Sequence, residues 1–285
     1  MLLISELETK SNCFRPVIGT VAQPKSRQTQ INREVILGSI KSCLNVLFKD
    51  KTNVLIKYQK TNTKKGLSLF IVCKFAKKRA FMRIFAVGRN YAEHIQELNN
   101  ERPDEPIVFT KPDTAVLRNN APFYYPSFSR DIHHEVELVL RICKEGKNIE
   151  EKFASKYYDA IGIGIDFTAR DIQTKLKAKS LPWDIAKGFN GSAPISDKFI
   201  PVEQFADKNN INFKLEIDGQ LKQQGNTNLL LFSFDYIISY LSKFFTLRTG
   251  DLIFTGTPKG VGPVTIGNKL TAYIEDEKLL EFEVK

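Results

Sequence analysis

The chain has 285 residues, 42% of them hydrophobic and 11% aromatic, enough for one large domain or two ordinary ones with a real buried core. Its net charge of +10 is unevenly placed: residues 1–81 hold 16 Lys/Arg against 4 Asp/Glu, leaving 26 against 28 for residues 82–285, so the main part of the chain lacks the basic balance of a nucleic-acid binder. Four scattered cysteines without a CxxC pair point to a reduced, intracellular setting and leave no zinc module, and apolar runs such as Leu67–Phe75 stop well short of the roughly 20 residues of a membrane span.

Residues 1–81 are polar, Lys-rich and broken by QPKSRQTQ and YQKTNTKKG, and their two apolar patches show no sustained period. Glu6 and Glu8 sit where a signal peptide would carry its basic and apolar regions. Three readings stay open for this segment: a poorly ordered basic extension, an organellar leader, or sequence upstream of the true start at Met82. The leader is long, rich in Lys rather than Arg and without a clear amphipathic helix, so the expected location is the cytoplasm, with mitochondria the alternative.

From Met82 onward short strands alternate with turn signals, and helices are few. Strands are predicted near 83–88, 107–111, 114–118, 134–142, 159–167, 211–217 and 252–256. Two hairpins are marked, one turning on Asp218-Gly219 and one around Glu275 to Lys278. The clearest helix spans 232–245, with Ser233 or Asp235 as its cap and Ile237, Tyr240, Leu241 and Phe244 at helical spacing.

The segment HHEVELVL carries two glutamates on what should be a buried strand. Alternation puts Glu135 and Glu137 on one face, where two charges about 6 to 7 Å apart repel by about 2 to 3 kcal/mol at an effective dielectric of about 20. A third acid, Asp166, ends the buried strand of YDAIGIGIDFTARD. Three carboxylates with only oxygen donors suit a hard cation, Mg²⁺ or Mn²⁺; equally, the glutamates could line a solvated face and Asp166 cap a turn. In GRNYAEHIQELNNE, His94 and Glu97 fall one helical turn apart, a pair that can orient the imidazole, favour its protonated form and take a proton from water, or simply decorate the surface. Lys187 follows the only tryptophan, Trp183, in a segment bounded by prolines, and could bind a carboxylate or stabilise an enolate. The turn TGTPKGVGP lacks the order of a P-loop and Gly162-Ile-Gly164 lacks the third glycine of a dinucleotide fingerprint, so nucleotide binding is set aside.

In order, GRNYAEH, FTKP, HHEVEL, GIDFTARDIQ, LPWDIAKGF and TGTPKGVGP resemble the fumarylacetoacetate hydrolase superfamily, in particular its acylpyruvate hydrolase and oxaloacetate decarboxylase branch. The likeness covers residues 82–285 and none of 1–81. It implies a β-rich α+β fold with a mixed β-roll or sandwich core, a homodimer, and one Mg²⁺ or Mn²⁺ per site. By matching motifs it implies Glu135, Glu137 and Asp166 as metal ligands and His94 with Glu97 as the water-activating dyad on a lid segment. Lys187 and Gln173 are implied as holders of substrate oxygens, with Arg89, Arg170 and Thr257 as further candidates; His133 and His134 stand behind the ligands. The expected activity is hydrolysis of the C–C bond of acylpyruvates or fumarylpyruvate-like diketo acids, and decarboxylation or tautomerisation of oxaloacetate, with a small 2-oxo acid as partner and no nucleic acid or membrane. The alternatives are a dienoate isomerase or hydratase of aromatic catabolism and, from another class, a nucleic-acid or membrane-surface binder acting through the basic leader.

Overall fold

The computed structural model describes the backbone of residues 54–63 and 66–75 and, with side chains, residues 82–97 and 101–285; the chain divides into two units, Met1–Arg79 and Ala80–Lys285. In the first unit the described backbone is an antiparallel hairpin of β1 (Val54–Thr63) and β2 (Gly66–Phe75), with Val54 opposite Phe75. Sequence periodicity gives no assignment for this hairpin, and the rest of the expected leader lies outside the described residues.

The second unit carries strands β3 (Ile84–Gly88), β4 (Ile107–Lys111), β5 (Val116–Leu117), β6 (Ile132–His134), β7 (Val136–Ile142), β8 (Tyr158–Ile165), β9 (Thr168–Ala169), β10 (Ala193–Pro194) and β11 (Ile200–Pro201). After these come β12 (Asn212–Ile217), β13 (Gln220–Asn226), β14 (Leu252–Phe254), β15 (Gly262–Pro263), β16 (Lys269–Ile274) and β17 (Glu277–Glu283). Its α-helices are α1 (Ala92–Glu97), α2 (Arg170–Ala178), α3 (Asp184–Lys187) and α4 (Phe234–Phe244). The result is the expected β-rich α+β unit. A six-stranded mixed sheet in the order β11-β8-β7-β14-β3-β4 stands beside a four-stranded antiparallel sheet in the order β13-β12-β16-β17.

The central strands are apolar on both faces because both faces are covered. On one face Leu138 and Leu140 of β7 and Ile161, Ile163 and Ile165 of β8 join Phe213 of β12 and Ile237, Ile238 and Leu241 of α4 in the main core. On the other, Val139, Ile84, Ala86, Leu252 and Phe254 build a smaller one with Ile195. Each such fully buried aliphatic or aromatic side chain contributes about 1.5–3 kcal/mol. Both hairpins form where predicted: Asp218 and Gly219 take the left-handed conformation between β12 and β13, and Glu275 does so between β16 and β17.

Ser233 caps α4, its hydroxyl accepting from the Tyr236 amide at 3.1 Å, while Asp235 instead pairs with Lys208. Two local readings change. The strand expected over 114–118 is a 3₁₀ turn, Asp113–Ala115, followed by the two-residue β5, since Pro112 takes the cap position and turns the chain. Helix α2 was not anticipated, because only Ile172 and Leu176 give it an apolar face.

Candidate active site

Strand register gathers the three acids. β7 and β8 pair antiparallel with Glu137 opposite Gly164, and the next rung sets the backbone of Glu135 against that of Asp166, whose amide donates to the Glu135 carbonyl at 2.8 Å. Glu135 occupies the one-residue break between β6 and β7, and Asp166 follows the end of β8. One oxygen from each of Glu135, Glu137 and Asp166 lies within 4.8 Å of the other two, and all three residues are buried.

The repulsion expected between the glutamates is offset by cations from three other segments. Lys187, at the end of α3, donates to Glu135 Oε2 at 2.7 Å and to Asp166 Oδ2 at 2.8 Å. Arg170, at the start of α2, donates to Glu135 Oε1 at 2.5 Å and through its other terminal nitrogen to Gln173 Oε1 at 2.6 Å. Lys111, at the end of β4, sits 2.6 Å from Asp166 Oδ1, held from behind by the carbonyls of Lys187 and Ser192. Lys111 belongs to the FTKP motif but was given no role from sequence; a lysine closing a strand before a proline, in a chain with an acidic cluster to neutralise, was the available signal.

These contacts divide the acids electrostatically. Burial alone raises the Glu135 carboxyl, but Lys187 and Arg170 outweigh it and hold the group below the usual carboxylate range. Glu137 goes the other way: burial first, then the charges of Asp166 and Glu135, push it well above its ordinary value, and among the described residues its carboxylate accepts one hydrogen bond, from the Gly256 amide at 2.7 Å. Burial also lowers Lys111 on balance, whereas Lys187, pulled by Asp166 and Glu135 against its own burial, is raised. Asp166 Oδ1 is buried and lacks a directed hydrogen bond even with Lys111 beside it. A pocket of three oxygen donors, one of them, Glu137, an acid that no cation contacts among the described residues, fits a divalent cation.

His94 and Glu97 lie on α1, with Nδ1 and Oε2 3.2 Å apart. Glu97 is anchored by the Gly260 amide at 3.0 Å, which gives the Gly/Pro-rich turn a place beside the site. His94 is buried, and burial, the largest influence, lowers its pKa despite Glu135 and Glu97. The expected preference for a protonated ring is therefore corrected: desolvation of the charged form exceeds the pull of the two carboxylates, and the imidazole is neutral near pH 7.

The same pocket is lined by Arg89, His94, Glu135, Glu137, Asp166, Arg170, Gln173, Lys187 and Thr257, so nine of the ten sequence candidates share it; Glu97 reaches it through His94. His133 pairs with Asp131, and His134 Nδ1 lies 2.9 Å from Gln223 Oε1, so both stand behind the acids rather than among them. Two buried anchors went unread. Gln223 accepts from Val136 N and donates to Thr257 Oγ1 and Pro258 O, tying β13 to the site loop. Asn90 bonds Phe232 and Thr255 and so fixes the root of α1.

Residues 83–285 match the family described as "Fumarylacetoacetate (FAA) hydrolase C-terminal". The chain is 42% identical over 202 residues to the Bos taurus protein named oxaloacetate tautomerase FAHD1, mitochondrial, covering 71% of this chain and 91% of that one. It is 48% identical over 186 residues to the Dictyostelium discoideum oxaloacetate decarboxylase, mitochondrial, covering 65% and 85%. Among solved structures it is similar to fumarylpyruvate hydrolase from Pseudomonas aeruginosa in complex with Mn²⁺ and pyruvate, at 33% identity and a TM-score of 0.67, over 84% of this chain and 98% of that one.

Proposed function

Because the chain belongs to the fumarylacetoacetate hydrolase family, we propose that it is a divalent-metal-dependent enzyme of small 2-oxo acids that tautomerises or decarboxylates oxaloacetate and cleaves acylpyruvates. The observation that carries this reading is the buried trio Glu135, Glu137 and Asp166 in one pocket with Lys187 and Arg170. The names of the relatives at 42% and 48% identity support oxaloacetate as the first substrate to test.

Glu135, Glu137 and Asp166 would hold Mg²⁺ or Mn²⁺, which supplies a Lewis acid for negative charge developing on a 2-oxo oxygen. Lys187, already placed at Glu135 and Asp166, adds a fixed positive charge at the same edge of the pocket and stabilises an enolate there. His94 acts as the proton carrier. Its Nδ1 faces Glu97, so the neutral ring keeps its proton on that nitrogen and presents Nε2 as the base. For tautomerisation Nε2 takes a proton from the carbon between the two carbonyls and delivers it to the enolate oxygen, so that the keto form becomes the enol, and the reverse transfers restore it. For hydrolysis it deprotonates a water that attacks the distal carbonyl; the C–C bond then breaks, the acyl group leaves as its carboxylate, and the pyruvate enolate takes up the proton as pyruvate. Oxaloacetate decarboxylation needs no such water, since loss of CO₂ leaves the same enolate.

Turnover of oxaloacetate and of acetylpyruvate, each with and without added Mg²⁺, tests the reading: turnover of at least one that requires the cation is expected, and none of either sinks it. Glu135→Ala should cost about a hundredfold or more while the circular dichroism of the fold is kept. A dienoate isomerase would use the same acids without needing an activated water. The homodimer implied by the resemblance is kept as a proposal for light scattering. For location, the mitochondrial names of the relatives favour the organellar alternative over the expected cytoplasm, and imaging of the tagged full chain decides.

A further inference from the structure

Four cations line the pocket, and two of them have nothing to neutralise. Arg170 and Lys187 are committed to Glu135, Gln173 and Asp166. The side chains of Arg89 and Lys177 line the same pocket and make no ion pair or hydrogen bond among the described residues; Arg89 Nε is buried without a partner, and Lys177 lies over the ring of Trp183, 5.2 Å from its centroid.

Their placement is specific. Arg170, Gln173 and Lys177 fall at i, i+3 and i+7 on α2, one stripe of the helix, and all three face the pocket. Arg89 sits between β3 and α1 with φ of 59°, a left-handed backbone that a long side chain rarely adopts and that fixes where its guanidinium starts. Burial first, then Arg170 and Arg89, push the Lys177 ammonium down to about 8, while Lys187 acts on it less than either arginine. Lys177 thus stands among the positive charges of Arg170 and Arg89, with only a weaker opposing pull from Glu135, which is already paired with Arg170.

Oxaloacetate and acetylpyruvate have the same carboxylate and 2-oxo group and nearly the same shape. They differ at the far end, where one carries a carboxylate oxygen and the other a methyl. Resting on the 2-oxo acid reading above, we propose that Arg89 and Lys177 form a second anion subsite beside Trp183, which binds the distal carboxylate of a dicarboxylic 2-oxo acid and makes the enzyme prefer doubly charged substrates over singly charged isosteres. The ammonium and guanidinium would each donate to that carboxylate, satisfying the orphaned Arg89 Nε at the same time.

Trp183 is the only tryptophan in the chain and stands in the subsite, so its fluorescence reads binding without requiring turnover. The test mixes Mg²⁺-loaded full-length protein rapidly with oxaloacetate or acetylpyruvate and takes Kd from the Trp183 signal. The wild type is expected to bind oxaloacetate at least about tenfold more tightly than acetylpyruvate. Lys177→Met and Arg89→Asn, the latter chosen because Asn tolerates a left-handed backbone, should each remove most of that preference, and Lys177→Arg should keep it. No preference in the wild type, or variants that weaken both ligands equally, would overturn the subsite. A preference that Lys177→Met abolishes, in a protein that turns over neither compound, would uphold the subsite and sink the catalytic reading instead.

Discussion

Glu137 is the acid of the trio that no cation contacts among the described residues, and that isolation has a measurable consequence. Its carboxyl is raised above the ordinary 4.5, so in the metal-free protein the folded chain holds a proton that the unfolded chain has already released. The stabilisation from that proton is full below about pH 4.5 and is lost as pH rises through the raised value. A divalent cation needs the carboxylate and must expel the proton, so its own stabilisation grows with pH. The rise in Tm on adding Mg²⁺ should therefore be several degrees larger at about pH 7.5 than at about pH 5.5, and Glu137→Gln should erase the difference. An equal gain at both pH values would remove Glu137 from the cation site. The three acids were legible in sequence because strand alternation and one strand end are local rules. Lys111, Asn90 and Gln223 were not, because each acts on a partner 55 or more positions away, where only the tertiary fold sets who meets whom.

The strands β7 and β8 form the element on which the site depends, and the glycines of β8 are what let it pack. Gly162 and Gly164 do not complete a dinucleotide fingerprint, and the pair has a structural purpose that the sequence conceals. Register places them on the face that carries Val139 and Glu137, where rings press against the backbone: a Cβ on Gly162 would lie 2.8 Å from the Phe199 ring, and one on Gly164 2.8 Å from Phe254 and 3.0 Å from the Pro194 carbonyl. Gly164→Ala must displace a buried ring and a neighbouring backbone at once, and overpacking of this kind costs about 1–3 kcal/mol. Urea unfolding should show that loss with the m-value unchanged; a neutral result would mean that Phe254 can move freely. Because Gly164 is also the partner of Glu137, the same variant should weaken Mg²⁺ binding. Strong alternation and turn chemistry made the hairpins and central strands readable, while α2, polar but for Ile172 and Leu176, forms because its Arg170, Gln173 and Lys177 stripe turns toward the pocket rather than toward a core.

At the scale of the whole molecule, the charge changes sign close to where the chain divides into its two units. The net charge of +12 on residues 1–81 has no counterpart in the −2 of residues 82–285, and the first unit ends at Arg79. The second unit also closes on itself among its described residues: Arg83 pairs with Asp251 at 2.5 Å, and Phe123 and Tyr125 donate to the carbonyls of Glu283 and Lys285. A chain starting at Met82 would keep those closures, the acid trio and the α1 dyad. It is predicted to melt within about 4 °C of the full chain, equivalent to about 1 kcal/mol for a domain of this size, and to turn over its substrate at a comparable rate. Loss of folding, or a fall in turnover of tenfold or more, would show that the basic segment contributes to the catalytic unit and does not merely precede it. Retained turnover would leave the segment free to serve in targeting or in attraction to anionic surfaces, which salt-dependent binding of the full chain, but not of the shorter one, would reveal.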